Sequence, residues 1–343
     1  MRRLALLACT ATALAALAAA TAGATSNAGA SWAAPEIRTV VGAGLMAPTV
    51  AEFRAEEPLT WAEFGIVLAA FGAPVSVSQP DRLVTLRELD ARLVSVAGLR
   101  PSARRIRMAA VQAGLEPRSW LGTETLARML GLRINHLRNE EVLELQLSEP
   151  ATRAEAAYSI ARLLTIPDWD LEAVRQAVDS FTFPELTDWQ RAVLARSLRF
   201  VGSPYVWAGT SEKPQQLFGK LLPGGFDCSG FVWRVYKLEP FAGAPSLSAT
   251  LKGRTTYAMS GEVARSARVD LAGLQPGDVV FFGPGGPRSK PAEVGHMGIY
   301  VGNGWFVHSS WHGVAFEPMT GAWETNFAWG RRPLAEAGLA SLK

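Results

Sequence analysis

The feature that most constrains this chain is a cysteine at the predicted start of a helix. Residues 224–233 read Gly-Gly-Phe-Asp-Cys-Ser-Gly-Phe-Val-Trp, so a loop with two glycines leads into Asp227 and Cys228. Aspartate is a favourable N-cap because its carboxylate accepts from the free N–H groups of the first turn. Apolar residues then recur at helical spacing until Pro240. The pattern predicts a helix whose first residue is Cys228.

This position predicts a reactive thiol. The positive end of the helix dipole favours a thiolate, so we expect a lowered pKa for Cys228. A small buried thiol with no chemical role is the alternative. The only other cysteine, Cys9, lies in a predicted signal peptide, so the mature chain would carry a single thiol without an internal disulfide partner. A lone thiol in an oxidising compartment favours the reactive interpretation.

The N-terminus has the layout of a secretory signal peptide. Arg2 and Arg3 precede an apolar run at 4–20, and small-residue cleavage sites follow before residue 31. We expect residues 1–30 to be removed and the protein to be secreted or held in the cell wall. Their loss reduces the net charge from +3 to about +1, which gives no support for nucleic-acid binding. No later apolar run is long enough to be a transmembrane segment.

Composition and periodicity predict the domain organisation. Residues 31–46 are small and apolar without a clear period, which is typical of a linker. Residues 47–183 are predicted to form an all-helical domain, which ends at a break rich in Phe and Pro. Residues 184–335 are predicted to form the second domain, and 336–343 a C-terminal tail.

Three predicted helices of the first domain share a start signal, a threonine followed three residues later by a glutamate. The pairs are Thr60 with Glu63, Thr85 with Glu88, and Thr152 with Glu155. Residues 151–156 resemble the signature of S-layer homology modules, which hold surface proteins on secondary polymers of the cell wall. The resemblance implies that the domain binds such a polymer. The uneven spacing of the pairs, 25 and 67 residues apart, favours an ordinary helical bundle.

The second domain is predicted to be α+β, with helices followed by short strands. Its most informative part is a hairpin that contains two histidines. Alternation of apolar residues in 295–301 leaves His296 on the other face of its strand. A three-residue loop would pair Gly298 with His308 and bring both histidines to one face. A two-residue loop would turn His308 into the core instead.

A thiol and two imidazoles are the parts of an acyl-transfer site. We expect His296 to take the proton of Cys228 or stabilise its thiolate, and then to protonate the leaving amine. His308 would fix the tautomer and orientation of His296. The spacing of His308 and His312 is also seen in zinc sites, so a metal site is the remote alternative.

The second domain resembles the NlpC-type papain-like cysteine peptidases over residues 187–333. Five blocks occur in the family's order, at 202–209, 227–231, 276–282, 296–304 and 306–308. The resemblance implies a fold in which the helix that carries the nucleophile packs on an antiparallel sheet. It also implies cleavage of peptide bonds in peptidoglycan stems, often between D-glutamate and the diamino acid.

The resemblance assigns site residues by position and implies no metal or other cofactor. It gives Cys228 as nucleophile, His296 as base, His308 as orienting residue, and Tyr205, Asp227 and Ser229 as substrate-binding residues. The backbone N–H of Cys228 is the expected oxyanion donor. Two departures from the family pattern predict a groove of different shape: Ala208 stands where glycine is more usual, and 210–224 is a long approach to the cysteine.

The sequence therefore predicts a secreted cell-wall hydrolase, a cysteine endopeptidase that acts on peptidoglycan. Its helical domain would bring it to the wall through a secondary polymer, or block the groove until needed. An amidase or acyltransferase that uses the same thiol and imidazole is one alternative. A surface-anchored wall-binding protein with little catalysis is the other.

Overall fold

The structure, a computed structural model, describes residues 31–138 and 141–339. The predicted signal peptide and residues 340–343 of the predicted tail lie outside this range. The chain forms two compact units. The first comprises the described residues up to Gly98 together with Ser148–Ile166, and the second comprises Leu99–Leu147 and the described residues from Pro167 onward. Residues 99–147 and 167–183, assigned above to the helical domain, fall within the second unit.

Helices and short strands follow one another in groups along the described chain. The α-helices are α1 Ala34–Gly42, α2 Trp61–Ala70, α3 Leu86–Val96, α4 Arg100–Gln112, α5 Leu121–Met129, α6 Arg153–Thr165, α7 Asp168–Ser180, α8 Asp188–Leu198, α9 Cys228–Tyr236, α10 Leu247–Thr250, α11 Thr256–Gly261, α12 Ala322–Asn326 and α13 Pro333–Glu336. The strands are β1 His136–Arg138, β2 Glu141–Leu143, β3 Thr210–Ser211, β4 Gln215–Leu217, β5 Lys220–Leu222, β6 Gly225–Phe226, β7 Val279–Phe282, β8 His296–Gly302, β9 Trp305–Ser310, β10 Gly313–Pro318 and β11 Phe327–Arg331. None of the helices within 31–138 and 141–339 is both long and apolar enough to cross a membrane.

A helix occupies the segment that was predicted to be a linker. Helix α1 lies within residues 31–46, buries Ile37 and Val40, and packs against α6. So few buried residues in a short helix give no clear period in the sequence, which is why the helix was missed. The segment is therefore a packed part of the first unit.

The predicted start signals cap three helices of the first unit. Thr60 with Glu63 and Thr85 with Glu88 form complete capping boxes at the starts of α2 and α3. At the start of α6 the Thr152 hydroxyl accepts from the backbone N–H of Glu155. Each cap satisfies N–H groups that the helix itself leaves without partners.

The residues before these caps close a ring of hydrogen bonds. Leu59 N–H donates to Ala151 O at 2.8 Å, Ala151 N–H to Val84 O at 2.8 Å, and Val84 N–H to Leu59 O at 2.9 Å. Each of the three residues directly precedes a capping threonine, and isolated β-bridges join their segments. The unit therefore contains three repeats in cyclic arrangement, each an extended segment followed by a helix. The spacing of the repeats in the sequence is uneven because residues 99–147, which fold with the second unit, are inserted before the third repeat. Uneven spacing therefore does not argue against a repeat.

The arginine of the segment that resembles an S-layer module is a buried structural residue. Arg153 is 1% exposed, and its Nε donates to the carbonyl of Phe53 at 2.7 Å. Its guanidinium also donates to the Met46 carbonyl and to the Glu63 carboxylate. Arg153 therefore ties the start of α6 to the loop that follows α1 and to α2.

We predict that Arg153→Met destabilises the first unit by roughly 2–4 kcal/mol, because it leaves the carbonyl groups of Phe53 and Met46 without this donor. Amide hydrogen exchange should become faster in α6, while the exchange rates in β8 and β9 should not change. Arg38→Met, at an exposed position of α1, is the matched control and should change stability by less than about 0.5 kcal/mol. Equal protection of α6 in both variants would contradict the structural role.

The second unit is built on a five-stranded antiparallel sheet in the order β10-β9-β8-β7-β11. Helix α9 packs on β8 and β9, so the predicted α+β arrangement of a cysteine-bearing helix on an antiparallel sheet is confirmed. Strand β7 is buried along its whole length, as expected for a central strand covered on both faces. The sheet thus provides a rigid support for residues at the start of β8.

Residues 99–147 contribute α4, α5 and the β1–β2 ribbon to the second unit. The prediction that this stretch is wholly helical is therefore wrong. Arg128 on α5 is buried, forms a bidentate ion pair with Glu144, and donates to Gly202 O at 2.9 Å. Asn135 donates through its backbone N–H to Trp311 O at 3.0 Å and through its side chain to Tyr205 O at 2.9 Å. These bonds hold the loops that contain Tyr205 and Trp311 against the inserted segment.

Candidate active site

Cys228 is the first residue of α9, and Asp227 is its N-cap, as predicted. The Asp227 carboxylate accepts from the backbone N–H of Gly230 and from the hydroxyl of Ser229, the latter at 2.9 Å. Arg254 donates to Ser229 Oγ at 2.7 Å and to Ala208 O at 3.0 Å. The turn that presents the thiol is thus fixed by a buried polar network.

The Cys228 thiol is a free, partly exposed cysteine. Its Sγ lies 4.0 Å from Thr256 Oγ1 on α11. The backbone N–H groups of Ser229 and Met297 lie close enough to the sulfur to lower its pKa. Because Met297 directly follows His296 on β8, the sulfur lies next to the start of the strand that carries the predicted base.

The pKa of Cys228 is raised from 9.0 to about 11, contrary to the lowered value expected from the helix dipole. Burial is the largest cause and the charge of Asp227 the next. Both favour the neutral thiol. The residue that caps the helix also places a negative charge beside the sulfur, so the cap opposes the effect of the dipole. The resting site therefore holds a protonated thiol at neutral pH.

The hairpin that contains His296 and His308 has the predicted register, but a different loop produces it. Gly298 pairs with His308 and Ile299 with Val307. The loop, however, has two residues, Asn303 and Gly304, both at positive φ, and not the three that were predicted. An irregularity between Tyr300 and Gly302 shifts the register by one residue. Since a β-bulge adds one residue to one strand, it compensates for the shorter loop and returns His308 to the face of His296.

The two imidazoles are directly hydrogen-bonded. His296 Nε2 and His308 Nδ1 lie 2.8 Å apart, and the rings are nearly perpendicular at 84°. Gly298 makes room for them, because a Cβ at this position would lie 2.9 Å from His308 Cβ. Burial lowers the pKa of His296 well below its ordinary value, and the neighbouring His308 lowers it further. His296 is therefore a neutral base in the resting site.

A carboxylate and an indole that the sequence analysis did not identify complete this cluster. His308 Nε2 lies 2.9 Å from Glu317 Oε1, and Trp323 Nε1–H donates to the same oxygen at 2.8 Å. Burial, the largest single cause, raises the pKa of the Glu317 carboxyl, but the hydrogen bond from His308 and the other polar contacts together lower it. The alternation of Val314 and Phe316 with Ala315 and Glu317 is a strand signal that could have revealed the carboxylate.

Tyr205 forms a β-bridge with Phe226, two residues before Cys228. The charges of Cys228 and Asp227 raise its pKa, although burial contributes more. Its ring contacts the largely exposed ring of Trp311 at a centroid distance of 5.3 Å. This pair forms an aromatic surface beside the cysteine.

Asp227 and Ser229 are buried and hydrogen-bonded to each other, so the predicted substrate-binding residues also have a structural role. The side chain of Arg254, about one third exposed, lies 3.5 Å from the Asp227 carboxylate. The sequence analysis did not identify Arg254 and Thr256, because the sequence of the loop after α9 does not indicate that it folds back next to Cys228.

Both departures from the family pattern, Ala208 and the long segment 210–224, correspond to specific features of the structure. Ala208 has φ +61°, a left-handed conformation that costs an L-residue roughly 1–2 kcal/mol and that glycine adopts freely. The long approach at 210–224 folds into β3 and the β4–β5 hairpin, with Phe218 exposed at its turn. The chain next to the cysteine is therefore an ordered hairpin.

The histidines are engaged within the protein. Both ring nitrogens of His308 have partners, and His312 Nδ1 lies 2.8 Å from Arg133 O. Within the described residues no group of three or more His, Cys, Asp or Glu side chains could hold a metal ion.

A thiol at the start of a helix that packs on two strands, each with one histidine of a hydrogen-bonded pair, is chemically suited to acyl transfer through a thioester. Residues 202–332 match the family model of the NlpC/P60 family. These residues form an NlpC/P60 domain, which confirms the resemblance seen in the sequence.

Several curated proteins are similar to this region. A probable endopeptidase of Mycobacterium tuberculosis is 35% identical over 123 residues, 36% of this chain and 24% of that protein. The probable peptidoglycan endopeptidase LytE of Bacillus subtilis is 32% identical over 133 residues, 38% of this chain and 31% of LytE. A gamma-D-glutamyl-L-lysine dipeptidyl-peptidase of Bacillus cereus is 34% identical over 111 residues, 32% of this chain and 25% of that enzyme. The chain thus spans less than a third of the length of these relatives.

Solved structures include an NlpC/P60 family protein from Bacillus cereus that is 27% identical, with a TM-score of 0.32 over 45% of this chain and 42% of that one.

The raised pKa of Cys228 predicts how its alkylation depends on pH. The thiolate fraction below pH 10 should rise about tenfold per pH unit, so the rate with iodoacetamide should rise in the same way. Mass spectrometry of the Cys228 peptide measures the rate, and the urea-unfolded protein, with a thiol pKa nearer 9, is the control. A rate that is already constant between pH 5 and 8 would mean that the thiolate exists in the resting protein.

Proposed function

We propose that this protein is an extracytoplasmic cell-wall hydrolase, a cysteine endopeptidase that cleaves peptidoglycan stem peptides. The observation that carries the proposal is that α9, which begins at Cys228, packs on β8, where His296 is hydrogen-bonded to His308 at 2.8 Å. The endopeptidase names of the relatives support the same reaction class. The signal-peptide pattern of residues 1–30 supports action outside the cytoplasm.

The proposed reaction begins from a neutral thiol and a neutral imidazole. His296 takes the thiol proton as Cys228 Sγ attacks the scissile carbonyl, and a C–S bond forms. The oxyanion of the tetrahedral intermediate accepts from the backbone N–H of Cys228 at the positive end of α9. The imidazolium of His296 then protonates the leaving amine as the C–N bond breaks. Water hydrolyses the thioester with His296 again as base, which restores the thiol.

We propose that the bond cleaved joins D-glutamate to the diamino acid. A γ-linked D-glutamate carries a free α-carboxylate near the scissile bond. The partly exposed guanidinium of Arg254 beside the turn of Cys228 suits that group, because arginine binds carboxylates in a bidentate manner. Tyr205, Asp227 and Ser229 would complete the binding site, with Tyr205 against the peptide and the other two holding Arg254.

The test is digestion of purified peptidoglycan followed by mass analysis of the released muropeptides. The wild type should release fragments cut after D-glutamate, and Cys228→Ala should lower their rate of formation by more than about 1,000-fold. His312→Gln, which removes an imidazole outside the His296–His308 pair, is the matched control and should cut like the wild type. Identical fragments and rates from wild type and Cys228→Ala would refute the proposal.

We also propose that the first unit binds a secondary wall polymer. The cyclic arrangement of its three repeats supports a module of the kind that the S-layer resemblance implies. The bound ligand would have to contact residues other than Arg153, because that side chain is buried.

Co-sedimentation tests the polymer proposal with the full-length Cys228→Ala protein. The protein should sediment with intact cell walls, and its bound fraction should fall several-fold on walls stripped of secondary polymers by acid. Equal binding to both preparations would show that the protein recognises peptidoglycan itself.

A further inference from the structure

Three polar side chains form a diagonal line across one face of the sheet. His308 pairs with Gly298 on β8 and with Ala315 on β10. His296 and Glu317 lie two residues away from these partners, so they share the face of His308. Diagonal neighbours on adjacent strands are within reach of long side chains. The line of contacts runs from His296 through His308 to Glu317, with distances of 2.8 and 2.9 Å.

The carboxylate determines which nitrogen of each ring carries hydrogen. Glu317 Oε1 already accepts from the indole N–H of Trp323, and an ionised carboxylate only accepts. The bond between His308 and this oxygen therefore places hydrogen on His308 Nε2. A singly protonated ring with its hydrogen there has Nδ1 as an acceptor. His308 Nδ1 then accepts from Nε2–H of His296. Nδ1 of His296 is left with its lone pair.

We propose that Glu317 is a positioning residue that sets the tautomers of both imidazoles, so that His296 Nδ1 is the atom that receives the Cys228 proton. Without this acceptor, His308 can carry its hydrogen on Nδ1 and donate to His296. The hydrogen of His296 then lies on Nδ1, and the ring cannot accept a proton there. The claim that His296 Nδ1 receives the Cys228 proton rests on the proposed function. The tautomers of the two rings are properties of the protein without substrate.

Aromatic side chains hold the rings in the planes that these bonds need. Phe306 stacks on His308 at 4.3 Å with an interplanar angle of 6°. The ring of Trp323 lies 4.8 Å from both imidazoles. Trp323 therefore packs against the two histidines and also orients the carboxylate, which makes the cluster one packed unit.

Nitrogen NMR of isotope-labelled histidine rings tests the tautomers in Cys228→Ala without substrate. The chain has four histidines, and the variants His136→Gln and His312→Gln assign the other two. We expect both His296 and His308 as neutral Nε2–H tautomers at neutral pH. Glu317→Leu should shift both rings toward the Nδ1–H form. Glu317→Gln should keep the Nε2–H form, because its Oε1 can accept from the same two donors.

Activity provides the second readout, measured on peptidoglycan with the Cys228 side chain intact. Glu317→Leu should lower kcat roughly 10- to 100-fold with little change in KM, and Glu317→Gln by less than about tenfold. Asp278→Asn is the control for loss of a buried carboxylate, since Asp278 is paired with Arg332 at 2.9 Å at the other end of β7. It should lower stability and leave both the tautomers and kcat unchanged.

Two results would overturn the inference: a doubly protonated or Nδ1–H His308 in the protein with Glu317, or unchanged tautomers in a folded Glu317→Leu variant. If the expected tautomers are observed but the wild type does not cleave peptidoglycan, the tautomer assignment stands and only the proposed function fails.

Discussion

The candidate site depends on one hydrogen bond, the 2.8 Å contact between His296 Nε2 and His308 Nδ1. The contact exists only in a register that pairs Gly298 with His308, because a slip of one residue would move one imidazole to the other face. A two-residue loop and an irregularity in β8 together produce that register. Gly298 provides the space, since a side chain there would collide with His308. Backbone geometry therefore determines the chemistry of the rings.

The thiol and the imidazole are both kept neutral by the same physical cause. Burial disfavours charge on either group, which raises the pKa of Cys228 and lowers that of His296. Asp227 adds to the effect at the sulfur while it caps α9. In the reaction that we propose, proton transfer from thiol to imidazole therefore occurs during the reaction step, and an oriented acceptor on His296 matters more than a thiolate formed in advance. This is why the donors and acceptors behind His296 are important.

The first unit shows how a repeat can be obscured in the sequence. Three capped helices begin from extended segments joined in a closed ring of backbone hydrogen bonds, yet the third repeat follows an insertion that folds with the other unit. The inserted segment then supports the site, since Asn135 bonds to the carbonyls of Tyr205 and Trp311. The compact units therefore do not follow the order of the chain.

The sequence by itself determined the local elements: the cap and first residue of α9, the capped starts of α2, α3 and α6, and the face of its strand on which His296 lies. These follow from neighbouring residues, because caps and strand alternation are short-range patterns. Only the tertiary structure decided the pKa of Cys228, the compensating irregularity in the hairpin, and the contacts of Glu317, Trp323, Arg254 and Thr256. Burial and charge depend on residues distant in the chain, and the sequence carries no local signal of which of them will meet.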